Sequence, residues 1–225
     1  LLFTRRIADP QFGARFTGKA GRWNIGFLGM DDQAPGKLVS AGDPLSGARS
    51  WNGVFRVQRE FRADSVIGVL ASDREFGNNI NRVFSADLRL RLTPNWLFKG
   101  QAVKSIDRVV SSTGAPTVRK GNAFFADLSW ANRNWTYDAN YQDFGAGFRV
   151  PLGFVPRVDI RTGSQYLGYL FWPNQGKVLS FGPSWSGGVT WDHAGRIQNK
   201  FSDAEFRMDL TGPAGFVLAR YDNYE

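Results

Sequence analysis

The sequence predicts an all-β chain, an antiparallel up-and-down transmembrane β-barrel of about twelve strands. Three observations carry this: apolar and polar side chains alternate with period two, short and long connections alternate, and tryptophans stand beside the short turns. Successive side chains of a strand point to opposite faces, so period-two alternation gives each strand one greasy and one wet face.

The opening hairpin sets Phe12, Ala14 and Phe16 against Gly13, Arg15 and Thr17, then Trp23, Ile25 and Phe27 against Arg22, Asn24 and Gly26. At 51–60, Trp51, Gly53, Phe55 and Val57 oppose Asn52, Arg56, Gln58 and Glu60, with Val54 the exception. At 84–92, Phe84, Ala86, Leu88, Leu90 and Leu92 oppose Ser85, Asp87, Arg89 and Arg91. The clearest case is 134–142, where Trp135, Tyr137, Ala139 and Tyr141 share one face and Asn134, Thr136, Asp138, Asn140 and Gln142 the other. Near the end, Ala204, Phe206, Met208 and Leu210 alternate with Asp203, Glu205, Arg207 and Asp209.

A soluble β-sandwich also alternates, so connection lengths must separate the two. Tight turns are expected near Ala20–Gly21, Arg62–Asp64, Thr93–Asn95, Ala131–Arg133, Pro173–Gly176 and Gly212–Ala214. Longer connections are expected near 31–50, 73–79, 106–120, 144–156 and 193–202. That rhythm suits short periplasmic turns and long external loops. Trp23, Trp96, Trp130, Trp135 and Trp172 lie within a few residues of the short turns. Indole favours the lipid headgroup level, so these five are expected to form an aromatic girdle.

Composition narrows the class further. The chain has no cysteine, which excludes disulfide frameworks, cysteine–zinc sites and cysteine nucleophiles. No apolar run approaches the roughly 18 residues of a membrane-spanning helix. The net charge of +8 is spread singly instead of in runs, so nucleic acid is not an expected partner. The opening LLFTRRIADP shows neither an initiator Met nor the zones of a secretion signal, and residues 1–225 are read as one barrel domain cut from a longer protein. On that reading, strands near 12–19 and 215–222 are open edges and do not pair with each other.

Three stretches resemble one bacterial family: FTRRI with TGKAGRWNIGFL, then YQDFGAGFRVPLGFVPRVDIRTGSQYLGY, then LSFGPSWSGGVTWDHAGR. The family consists of outer-membrane barrels of unassigned function that follow a carbohydrate-binding family-nine-like module. The resemblance implies an outer-membrane location in a Gram-negative-type bacterium, with that module and some barrel strands missing from this chain. It carries no catalytic residues.

Candidate sites are few. His193, the only histidine, sits in Trp191-Asp192-His193-Ala194-Gly195-Arg196. An Asp–His pair can serve as a general base, yet no serine stands in a nucleophile motif, and a turn role is the better reading. Asp31, Asp32 and Asp43 could approach calcium, but their spacing matches no known loop, and a solvated loop is preferred. No metal or cofactor is expected. The wet face is more telling: Arg15, Arg22, Arg56, Arg89, Arg91, Arg161 and Arg207 would enter the lumen with Glu60, Asp87, Asp138, Asn140, Asp159, Glu205 and Asp209. Such a mixed-sign lumen either braces the wall with ion pairs or, through its excess of Arg, favours anionic solutes. Trp135, Tyr137, Tyr141, Leu88, Leu90 and Phe55 would face lipid. The functions that follow are a pore for anionic or sugar-like solutes, or an anchor displaying the attached module. A barrel enzyme acting on glycan, lipid or peptide at the outer rim, or a soluble β-sandwich binding domain, is the alternative.

Overall fold

The computed structural model describes residues 7–110, 114–173, 176–212 and 214–224. The described residues are all-β apart from one short helix. Twelve strands follow one another as β1 (Gly13–Ala20), β2 (Trp23–Asp32), β3 (Ser50–Arg62), β4 (Ser65–Phe76), β5 (Asn79–Arg91), β6 (Trp96–Val110), β7 (Pro116–Ala131), β8 (Trp135–Phe144), β9 (Ile160–Tyr169), β10 (Val178–Asp192), β11 (Ile197–Leu210) and β12 (Gly215–Tyr224). The helix, α1 (Ala34–Leu38), lies between β2 and β3. All twelve strands form one antiparallel sheet in sequence order, with β1 and β12 at the two ends of that order. Up-and-down connectivity of this kind places every odd-to-even connection at one end of the sheet. FTRRI falls outside the described residues except for Ile7.

The turns explain why neighbours pair. β1 and β2 are joined by Gly21–Arg22, with Gly21 at φ 57°, and β3 and β4 by Ala63–Asp64, with Asp64 at φ 54°. Two-residue hairpins need such left-handed positions, which glycine and aspartate tolerate best. At the start of β6, Thr93 Oγ1 accepts the Trp96 N–H at 3.1 Å. At the start of β8, Asn132 Oδ1 accepts the Asn134 and Trp135 N–H groups at 2.9 and 2.7 Å. These side chains satisfy donors that would otherwise stand free at strand entries.

Several expected loops are strand instead. Around 73–79, β4 runs to Phe76 and turns through Gly77–Asn78 alone. Around 193–202 only His193–Arg196 intervenes between β10 and β11. Around 106–120, β6 continues to Val110 and β7 begins at Pro116, with 111–113 outside the described residues. Conversely, the turn expected at Pro173–Gly176 is the longer connection 170–177, of which 174–175 are not described; the turn at Gly212–Ala214 includes the undescribed 213. The physical reason is that strands extend past the apolar band, where Asp73, Arg74 and Glu75 of β4 or Asp107 and Arg108 of β6 read as loop while the ladder continues. Long connections remain at 33–49 and 145–159.

The chain divides into two compact units. One comprises the chain up to Leu88 with Gln101–Phe124 and Phe144–Val158; the other comprises Arg89–Gly100, Phe125–Asp143 and the chain from Asp159. In the first unit the register aligns Phe16, Phe27, Phe55 and Ala71 across β1 to β4 on one face. In the second, Leu167, Trp185 and Ala204 align across β9 to β11, and Phe181, Met208 and Phe216 across β10 to β12.

Candidate functional site on the polar face

In parts of β3 and β5 rings are exposed and polar side chains buried. In β5, Phe84 is 50% exposed while Ser85 and Asn81 are 7% and 6% exposed. In β3, Phe55 and Trp51 are exposed while Ser50 and Asn52 are buried. Of the side chains expected to face lipid, Phe55, Trp135 and Tyr141 are exposed and Leu88, Leu90 and Tyr137 are half-buried. Of their expected opposites, Arg56, Asp87, Asp138 and Asn140 are half-buried and Arg89 is exposed.

The polar face carries an ion-pair lattice. In the first unit Arg56 Nη2 donates to Asp87 Oδ1 at 2.8 Å, and Gly68 leaves the room that Asp87 occupies. Lys19 pairs with Glu60 at 3.0 Å, and Asn24 also donates to Glu60. Gln101 donates to Ser85 at 2.8 Å. In the second unit Lys99 pairs with Asp127 at 2.9 Å, Gln142 donates to Asn140, and Arg207 pairs with Asp209 at 2.9 Å, while Glu205 stands half-buried opposite Ser184. Arg15 of β1 and Arg22 of the first turn are exposed, and Arg91 is half-buried and partnered.

Two expected members of that face belong elsewhere. Arg161 pairs with Trp191 in the β9–β10 register and donates to Asp143 at 3.1 Å; Asp143 shares the face of Tyr141 and Trp135. Asp159 precedes β9 in a left-handed conformation, φ 62°, and bonds His193. The strand starts at Ile160, so Asp159 lies before it and Arg161 falls on the apolar face beyond the apolar band.

His193 lies between two carboxylates, Nδ1 at 2.9 Å from Asp159 and Nε2 at 2.9 Å from Asp143. The histidine therefore bridges the β10–β11 turn, the end of β8 and the residue before β9, and among the described residues no nucleophile is bonded to it. Asp31, Asp32 and Asp43 do not converge. Asp31 accepts the Gln11 and Phe12 N–H groups and pairs with Arg49, Asp32 accepts the Ala8, Asp9 and Ala34 N–H groups, and Asp43 caps Leu45.

The feature sequence reasoning missed is where the segment 145–158 goes. Instead of leaving the sheet, it returns onto the polar face of the first unit. Arg149 N–H donates to Ser105 Oγ at 3.0 Å, and Asn81 Nδ2 donates to the Arg149 carbonyl at 3.1 Å. Gly121 admits the segment at close range: a Cβ there would lie 2.1 Å from the Phe148 nitrogen. Phe148 is fully buried, and Leu152 nearly so. Val83, Val103 and Ala123, all buried, lie on this same polar face of β5, β6 and β7. Their apolar character at wet-face positions was the available signal. Burying Phe148 and Leu152 stabilises the docked segment by about 1.5–3 kcal/mol each.

Aromatic side chains gather at both ends. At the short-turn end of the second unit Trp96 lies 6.0 Å from Trp130 and 6.3 Å from Tyr137, Trp135 lies 4.7 Å from Tyr169, and Trp172 Nε1 donates to the Arg133 carbonyl. In the first unit Arg59 sits over Trp23 at 5.2 Å. Tyr141 and Trp191, 6.5 Å apart, mark the opposite strand ends in the second unit, as the exposed Trp51 does in the first. The second row was overlooked because it lies beside charged residues read as loop. No protein-family model matches the chain, and no curated protein matches it.

Proposed function

We propose that the chain is the wall of an outer-membrane β-barrel that admits small hydrophilic solutes through a bore narrowed by the segment 145–158. The observation that carries the reading is the inverted burial of β5, with phenylalanine outside and serine and asparagine inside. In water such a sheet would expose its rings and hide its hydrogen-bonding groups, the reverse of what burial energetics favour. In lipid the same arrangement is the stable one. The apolar positions Phe84, Ala86, Leu88 and Leu90 lie in β5, which at 13 residues exceeds the about 9–11 that a tilted strand needs to cross the hydrocarbon. Aromatic side chains at both strand ends support a headgroup girdle built from Trp23, Trp96, Trp130, Trp135 and Trp172, with lipid as the principal partner.

The lattice on the polar face supports a bracing role for Arg56, Asp87, Lys99 and Asp127, and the docked segment supports a restricted bore over a wide one. Display of a carbohydrate-binding-like module by the barrel is the companion role that the family resemblance implies. Tryptophan quenching by bromine-labelled lipid in reconstituted vesicles tests membrane insertion, with strong quenching expected. A folded, monodisperse chain in detergent-free buffer with unquenched tryptophan would overturn the membrane reading. Planar-bilayer recording then tests the bore: small, steady conductance is expected, and insertion without any current would leave the anchor role in its place.

A further inference from the structure

Beside the docked segment, the first unit holds a cavity of about 820 Å³, within the roughly 300–1,000 Å³ typical of small-molecule sites. Its charged lining is unbalanced in a specific way. Asp32 is engaged by three backbone N–H groups, from Ala8, Asp9 and Ala34 at 3.3, 2.8 and 3.1 Å. Asp107 accepts from Asn81 at 3.0 Å. Arg74 of β4 reaches the same cavity, half-buried and within electrostatic range of both carboxylates. Among the described residues, however, no partner lies within hydrogen-bond or ion-pair distance of its side chain. Arg149 and Arg157 also line the cavity: Arg149 spends its guanidinium on the Ala146 and Phe148 carbonyls at 2.9 and 2.7 Å, which are neutral and leave its charge in place, and Arg157 already has a partner. The rest of the wall includes Pro35, Phe76, Ile80, Val150 and Val155.

We propose that this cavity binds a small organic monocarboxylate, with the carboxylate on the Arg74 fork and the apolar body against that wall. A guanidinium presents parallel N–H donors that match a carboxylate, and such charge-assisted pairs are the strong hydrogen bonds of half-buried sites. Asp32 and Asp107 border the site, so a second negative charge on the ligand is repelled. The cavity therefore discriminates against dicarboxylates and phosphate as well as against neutral analogues. It belongs to one unit and stands whether or not the sheet crosses a membrane.

The test is a titration of the full chain, in whichever medium the lipid-quenching experiment selects, with butanoate, butanamide and succinate as probes and the protein-free medium subtracted. Binding is followed through the arginine side-chain N–H resonances. Saturable butanoate binding is expected, at least about tenfold tighter than either butanamide or succinate, the difference a charge-assisted pair supplies. Arg74→Gln abolishes it, Arg74→Lys leaves it intermediate, and Arg108→Gln, on the opposite face of β6, leaves it unchanged. Protection of the Arg149 amide verifies that each variant keeps the docked segment. Equal binding of butanoate and butanamide, no saturation by butanoate, or full binding in a folded Arg74→Gln variant would overturn the proposal.

Discussion

Replacing Gly121 with alanine removes nothing and adds one carbon, whose position decides whether the segment 145–158 stays on the polar face. That Cβ would fall 2.1 Å from the Phe148 nitrogen, 2.3 Å from its Cα and 2.4 Å from the Gly147 carbonyl carbon. Ordinary carbon contacts are about 3.5 Å or longer, so the segment must withdraw by roughly 1.4 Å. The bonds from Arg149 to Ser105 and from Asn81 to Arg149 start at 3.0 and 3.1 Å. Such a withdrawal carries both past useful hydrogen-bond length. Their loss, at about 0.5–1.5 kcal/mol each, together with rewetting of Phe148 at about 1.5–3 kcal/mol, removes on the order of 2.5–6 kcal/mol of docking energy. Amide exchange read by NMR should accelerate at Arg149 by about 10²–10⁴-fold while the ladder of β2 and β3 keeps its protection. Gly26→Ala is the matched control, since a Cβ there meets nothing within 4 Å. An Arg149 amide as protected in Gly121→Ala as in the parent chain would refute the docking argument. Single cysteines placed along 150–158 give a second readout, because the chain has none of its own.

Other outcomes follow from the same geometry. Phe84→Arg puts a charge where the proposed lipid face needs a ring, and urea unfolding from vesicles should show a loss of about 2–4 kcal/mol; little or no loss would count against lipid contact at that position. The Asp9 carboxylate accepts from Lys37, and that bond and charge, with the bond from Gln11, hold it below the usual 3.8. A lowered folded pKa means stability that is complete above the unfolded value and is lost as pH falls through the folded one. Exchange of the Gln33 amide, which donates to the Asp9 carbonyl at 3.0 Å, should therefore quicken only below about pH 4. An onset near neutrality would contradict the assignment. His193→Gln has a single donor nitrogen where the ring has two, so the bridge between Asp143 and Asp159 is broken; a modest destabilisation of about 0.2–1 kcal/mol is expected for so exposed a site. Pairing this variant with Asp159→Asn in a double-mutant cycle measures that coupling directly, and strict additivity would remove the bridge.

Particular residues show how much was legible. Where rings alternate with amides, as from Trp135 to Tyr141, period two alone located the strand and its two faces. Where the strand runs on among charges, as at Asp73–Glu75 or Asp107–Arg108, polarity disguised the ladder, because polar side chains at the sheet's end are compatible with loop and strand alike. The wet-face pair Arg56–Asp87 followed from alternation, whereas Arg161 and Asp159 did not, since a facing rule applies only once the first residue of the strand is known. His193 was placed in a turn correctly, but its two carboxylate partners stand 50 and 34 residues away in sequence. The docked segment was hidden for the same reason, and only Val83, Val103 and Ala123 hinted at it. Arg74 looked like one more loop cation until the cavity around it was seen.

The returning segment also orders events during folding. Each strand finds its partner in the next stretch of chain, so hairpins can zip progressively with short loops to close. The contacts of Arg149 reach back 44 residues to Ser105 and 68 to Asn81. Its landing surface does not exist until β5, β6 and β7 are already side by side. Docking is thus expected to follow the pairing of β5, β6 and β7 and to contribute little to the transition state for strand assembly. A substitution such as Leu152→Ala should accordingly speed the first loss of structure while leaving the rate of strand assembly unchanged.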